Sequence, residues 1–214
     1  MKRRAVIISG GEINDYSFYK DYIKENDYII CADGGSRHIN KLGINVNLFL
    51  GDFDSCDFDS VKKGEYFSRA EILKFKKEKD ATDTQIAMYE AIERGYGNIS
   101  VIAAFGGRID HMMSNIYLLK FISENGAEGE LVDERNTVRY YSSPFTISKK
   151  EGFYISFLPF GGCVGGLSLS GLKYPLTNHT LNPGDSICIS NEFLEDEAKI
   201  DFDSGEILMF LSKD

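Results

Sequence analysis

Residues 99–126 read ISVIAAFGGRIDHMMSNIYLLKFISENG. An apolar, β-branched run at 99–104 breaks at Gly106 and Gly107, and a different period follows. Met112, Ile116, Leu119 and Ile122 recur at spacings of four, three and three until Gly126. That spacing puts them on one helical face turned to a core. A strand that passes through a glycine turn into an amphipathic helix is half of a parallel βαβ unit, so an α/β sheet is expected.

The same plan extends outward. Residues 82–95, TDTQIAMYEAIERG, open on Thr82 and Gln85 in the S/T-x-x-Q spacing of a capping box, continue in good helix formers and stop at Gly95. Strand candidates lie at 5–9, 28–32, 48–50, 72–75, 99–104 and 130–132, and several end in Gly or Asp. An open, mostly parallel sheet with flanking helices follows, with ligands gathered beyond the carboxyl ends of its strands. After Asn136 the pattern changes to TVRYYSS, GFYISFLPF, GGLSLSG, DSICISNEF, AKIDFDS and EILMFLS, with turn residues between them and no convincing helix. Six short strands predict a small β-sandwich or barrel. The expected division is an α/β domain over 1–136 and an all-β domain over 137–214.

Composition narrows the function classes. The 214 residues are 43% hydrophobic and 27% charged, which argues for a globular protein and against a disordered or coiled-coil one. Acidic side chains outnumber basic ones 33 to 24, a formal charge of −9 with no basic cluster, so a nucleic-acid partner is not expected. No apolar run approaches the ~18 residues of a membrane span and no signal peptide is recognisable, so no membrane association and a cytoplasmic location are expected. Cys31, Cys56, Cys163 and Cys188 form no CxxC pair and are read as reduced, mostly buried thiols.

Three acidic or glycine-rich strand ends carry candidate chemistry. In residues 48–60, LFLGDFDSCDFDS, Asp52 and Asp54 follow a strand at i and i+2, where they either hold a hard cation or form a polar turn. Asp57 and Asp59 read as a solvated helix start. Asp80 and Asp83 flank the Thr82 cap, and by themselves are explained by the helix dipole. Gly106 and Gly107 let backbone N–H groups approach a phosphate, beside Arg108, Asp110 and His111; for His111 an orienting or structural role is preferred over catalysis. A fourth strand end repeats the plan at Asp33, Gly34 and Gly35, with Arg37 nearby. His38 is placed on a solvated helix face and His179 in a loop. Carboxylates, bare backbone and a few cations gathered at one sheet edge suit Mg-nucleotide phosphoryl transfer, and the absence of GxxxxGK[ST] excludes a Walker-type site.

Six motifs, in order, resemble those of thiamine pyrophosphokinases: ADGG at 32–35, GDFDS at 51–55, KDATD at 79–83, GGRIDHMMSNIYLL at 106–119, GLKYPL at 171–176 and SNE at 190–192. The resemblance implies a Rossmann-like catalytic domain, a β domain that binds thiamine, and transfer of the β,γ-diphosphate of ATP to thiamine with release of AMP. It further implies Mg²⁺ held by Asp52, Asp54 and Asp83, with Asp80 as a further candidate. Asp33, Gly34, Gly106, Gly107, Arg108, Asp110 and His111 would line the nucleotide and diphosphate region. Ser190 and Asn191 would contact thiamine, and a homodimer with the active site near its interface is expected.

Three rivals stand beside that reading. A diphosphokinase for another hydroxymethyl acceptor such as a pterin lacks a reason for GLKYPL and SNE. A dehalogenase-type phosphatase needs Asp-x-Asp-x-Thr or Val, and Cys56 stands in the last place. A non-enzymatic nucleotide sensor would bind Mg-ATP without consuming it.

Overall fold

The computed structural model describes residues 3–53, 64–76 and 80–214. It separates into two compact units, Met1–Glu134 and Arg135–Asp214. Asp57 and Asp59 lie outside the described residues.

The strands of the first unit are mostly apolar runs buried on both faces, as parallel strands require, although EILK at 71–74 and EGELV at 128–132 are only partly buried. They are β1 (Arg4–Ile8), β2 (Tyr28–Ala32), β3 (Leu48–Gly51), β4 (Glu71–Lys74), β5 (Asn98–Ile102) and β6 (Glu128–Val132). All pair in parallel in the order β4-β3-β2-β1-β5-β6. The chain thus winds outward from β1 to β4, then returns to the other side of β1 with β5. Loops leaving β1 and β5 therefore diverge to opposite faces and leave a crevice at their carboxyl ends.

Among the described residues four α-helices cover the strands: α1 (Tyr16–Tyr22), α2 (Ser36–Leu42), α3 (Asp83–Glu93) and α4 (Ile109–Glu124). At the start of α3 only half of the capping box forms. Thr82 accepts from the Gln85 N–H at 3.2 Å, while the Gln85 side chain turns to the Tyr89 hydroxyl at 2.5 Å. On α4, Ile116, Leu119 and Ile122 are buried and Met112 is half-buried. Ile122 presses on Gly129 of β6, where a Cβ would stand 2.9 Å from its Cδ1. The two seven-residue helices are too short to show a period, and their marks are terminal: Asp15 caps α1 by accepting from the Ser17 N–H at 2.8 Å, and Gly43 ends α2 at φ 70°. On α2, His38 is buried with Ile39 and Leu42, which corrects its expected place on a solvated face.

The second unit stacks two antiparallel sheets. One orders β7 (Asn136–Tyr141), β13 (Ile207–Ser212) and β9 (Tyr154–Pro159); the other orders β11 (Leu176–Leu181), β10 (Val164–Ser170), β12 (Glu197–Asp201) and β8 (Phe145–Ser148). Alternate residues of both, among them Ile155, Phe157, Met209, Leu167, Leu169 and Ile200, share one core, which makes the sandwich. Two expectations fail here. The run DSICISNEF is no strand: it turns, with isolated bridges from Asn191 to Ile155 and from Phe193 to Leu172. His179 lies in β11 rather than a loop: this strand pairs on one side only, so its middle stays polar while Leu176 and Leu181 at its ends pack on the core.

Cys31 and Cys188 are buried and Cys163 is exposed, all as free thiols. Among the described residues no helix is long and apolar enough to cross a membrane.

Gly35 begins α2 against the end of β1, and a Cβ there would stand 2.2 Å from the Ile8 carbonyl oxygen. Backbone cannot yield as a side chain does, so Gly35→Ala should cost about 1–3 kcal/mol or more. A thermal melt checks this; an unchanged melting temperature would contradict the packing described.

Candidate active site

A cavity of about 790 Å³ opens in the first unit at the carboxyl ends of its strands. Three loops wall it: residues 9–12 after β1, Gly34, Ser36 and Arg37 after β2, and Gly106, Gly107 and Arg108 after β5. The first turns of α3 and α4 complete it with Asp83, Thr84, His111 and Asn115. This is the switch point between β1 and β5, where an open α/β sheet binds its ligands.

Backbone packs on backbone here. A Cβ on Gly10 would lie 3.4 Å from the Gly34 Cα, and one on Gly11 only 2.4 Å from the Ala103 oxygen and 2.6 Å from the Phe105 oxygen. At Gly11 glycine is therefore demanded by contact. Side-chain hydrogen bonds brace the same walls: Ser9 and Thr84 hydroxyls meet at 2.7 Å, joining β1 to the start of α3, and the Asn115 amide donates to the Ala104 carbonyl at 3.2 Å. From below, His38 meets the Gly11 carbonyl at 2.8 Å and the Tyr16 hydroxyl at 2.7 Å. Residues 9–12, SGGE, escaped the sequence reading although they show the same strand-to-Gly-Gly signature as the other sites.

Charge at the rim is arranged around Arg108. Its guanidinium donates to both oxygens of Asp110, at 3.1 and 2.6 Å, and the His111 N–H donates to Asp110 at 3.0 Å. The Arg108 bond, reinforced by His111, holds the Asp110 carboxyl down at about 2.

The expected residues divide. Gly34, Asp83, Gly106, Gly107, Arg108 and His111 line the cavity. Asp110 stands at its rim by pairing with Arg108, and Asp33 is buried in the turn after β2 with its Cβ against Gly51. Asp52 follows β3 at the same sheet edge, half-buried, with Phe53 next to it at φ 63° and packed on Phe49. Asp80 is exposed just before α3. Asp54 lies outside the described residues. Among the described residues no three His, Cys, Asp or Glu side chains converge as a metal cluster.

In the second unit Ser190 takes φ 56° and its N–H donates to the Ser156 hydroxyl at 2.9 Å. Asn191 is buried, and its amide clasps Tyr174: Oδ1 accepts from the Tyr174 N–H at 3.0 Å and Nδ2 donates to the Tyr174 carbonyl at 2.8 Å. Segments 171–176 and 190–192, distant in sequence, are thereby joined; Lys173 and Glu192 add an ion pair at 2.7 Å.

Comparison with known proteins agrees for both units. Residues 19–128 match the thiamin pyrophosphokinase catalytic domain, and residues 144–207 match the thiamin pyrophosphokinase vitamin B1 binding domain. The thiamine pyrophosphokinase of Bacillus subtilis is 32% identical over 210 residues, 97% of this chain and 98% of that protein. A crystal structure of thiamine pyrophosphokinase from Bacillus subtilis superposes with a TM-score of 0.89 at 30% identity, covering 99% of this chain and 100% of that one. One from Geobacillus thermodenitrificans gives 0.85 at 30% identity over 99% and 98%.

A carboxyl held this low stays ionised through neutral and mildly acidic pH, so its ion pair is complete above the ordinary range and is lost only as pH falls through about 2. NMR titration of the Asp110 carboxyl should find that midpoint, and Arg108→Gln should return it toward the ordinary 3.8. An unchanged midpoint in the variant would show that Arg108 is not the cause.

Proposed function

This chain belongs to the thiamine pyrophosphokinase family, and on that premise we propose that it transfers the β,γ-diphosphate of ATP to the hydroxyl of thiamine. The products are thiamine diphosphate and AMP. The observation that carries this reading is the glycine-walled cavity at the β1/β5 switch point, where backbone N–H groups, Arg108 and Arg37 meet beside the Asp83 carboxylate.

The thiamine oxygen attacks the β-phosphorus, the bond from that phosphorus to the oxygen bridging it to the α-phosphate breaks, and the hydroxyl proton is released. An alcohol is a weak nucleophile, so the chain's task is to hold oxygen and phosphorus in line and to offset charge on the group in transit. Glycine loops admit the phosphates to the backbone, and the arginines supply positive charge. Asp83, Asp52 and Asp54 are an all-oxygen donor set of the kind hard cations prefer, and we assign Mg²⁺ to them, with Asp80 as a further ligand. When bound, Mg²⁺ neutralises phosphate charge and orients the polyphosphate.

Ser190 and Asn191 are assigned to thiamine, in a segment that Asn191 ties to residues 171–176. A homodimer with its sites near the interface belongs to the same reading. It is supported by Ile109 and Met113, exposed one turn apart on α4, the helix that also lends His111 to the cavity. Sedimentation at working concentration measures it. A cytoplasmic location completes the reading and suits free thiols such as Cys163.

Incubated with ATP, Mg²⁺ and thiamine, the protein should form AMP and thiamine diphosphate in equal amounts. ADP with thiamine monophosphate would sink diphosphate transfer, and no thiamine-dependent turnover would reject thiamine as acceptor. Asp83→Asn and Asp52→Asn each remove charge at nearly constant volume, so turnover should fall by roughly two orders of magnitude or more while the fold survives. Melting temperature must be followed with Asp83→Asn, since that residue also starts α3. Near-parental turnover at limiting Mg²⁺ would return these carboxylates to a structural role.

A further inference from the structure

His38 is only 4% exposed, yet both of its ring nitrogens are used. A carbonyl can only accept, so Nε2 bears the proton and donates to Gly11, and Nδ1 accepts from the Tyr16 hydroxyl. Burial is the first cause that holds the ring below its ordinary pKa; Arg37 and Lys41 push the same way, and the Gly11 bond opposes them. Burial favours the neutral imidazole, whose tautomer the Gly11 carbonyl fixes, and Tyr16 holds the other ring nitrogen in place.

A bond to the Gly11 carbonyl orients the next amide as well. In a planar trans peptide the Gly11 C=O and the Glu12 N–H point in opposite directions. With the carbonyl turned to the buried ring, the Glu12 N–H is turned to the side on which Gly10, Gly11 and Glu12 line the cavity. The Gly11 N–H is already spent on the Ala103 carbonyl at 2.7 Å, so the loop is pinned from two sides. The Glu12 N–H donates to no acceptor among the described residues. Two preceding glycines leave it unshielded, and the exposed Glu12 carboxylate is screened by solvent.

We propose that His38, oriented by Tyr16, is a positioning residue that presents the Glu12 N–H to a phosphate oxygen of ATP. This rests on the ATP reading above. His38→Leu keeps bulk and removes both hydrogen bonds, His38→Gln keeps a donor of similar reach, and Tyr16→Phe removes only the hydroxyl that anchors the Nδ1 side of the ring.

Calorimetry with MgATP in the absence of thiamine reads the effect directly. His38→Leu should raise the Kd for MgATP about tenfold, the scale of one hydrogen bond to a charged group, and leave the KM for thiamine unchanged. His38→Gln should stay within about threefold of the parent, with Tyr16→Phe between the two. In ¹⁵N-labelled parent protein the Glu12 amide should shift on addition of MgATP. A folded His38→Leu protein with parental Kd, a Gln variant no better than Leu, or an unmoved Glu12 amide would each overturn the assignment. Should His38→Leu not fold, parental affinity in Tyr16→Phe would overturn it equally. A parent protein that binds no MgATP fails differently, because it removes the functional reading first and this assignment with it.

Discussion

Three loops must pass within van der Waals contact of one another at the carboxyl end of β1, and the site follows from that constraint. Gly10 abuts Gly34, Gly11 lies between the Ala103 and Phe105 carbonyls, and Gly35 sits on the Ile8 carbonyl. A Cβ at Gly11 or Gly35 would strike backbone and push the loops apart or unseat α2, while at Gly10 it would just reach contact with Gly34. Close approach also bares the backbone on the cavity side, so the contacts that pack the sheet edge are the ones that make it receptive to an anion.

A protein of net charge −9 that binds a polyanion faces an electrostatic conflict. Its answer is local. Backbone N–H groups carry no net charge, Arg37 and Arg108 stand at the cavity, and in the function proposed above Asp83 with the carboxylates after β3 would take a divalent cation. Arg108 is held ready by Asp110, which spares it the disorder of a free side chain at the rim.

The second unit solves a different problem with strands alone. Its apolar residues alternate along β9, β10 and β13 to fill one core between two sheets, while β11 is left polar. Asn191 is a buried polar residue of this unit. By satisfying the Tyr174 backbone it avoids the cost of a buried unpaired amide and welds two loops into one surface.

Local pattern determined much of this. Residues 99–126 announce strand, glycine turn and helix because burial of one face imposes a period that a short window contains. The six parallel strands of the first unit, α3, α4 and the glycine-rich strand ends were legible for that reason, and six ordered motifs carried the family. What the window could not hold was decided by tertiary structure. His38 is buried because Tyr16 and Gly11 arrive from elsewhere in the chain, Gln85 abandons its capping role for Tyr89, and DSICISNEF forgoes a sheet while polar LTNHTL joins one as an edge. Apart from Gln85, whose partner is a helical turn away, each outcome turns on a partner distant in sequence or on which side of a strand is paired, and a local period encodes neither.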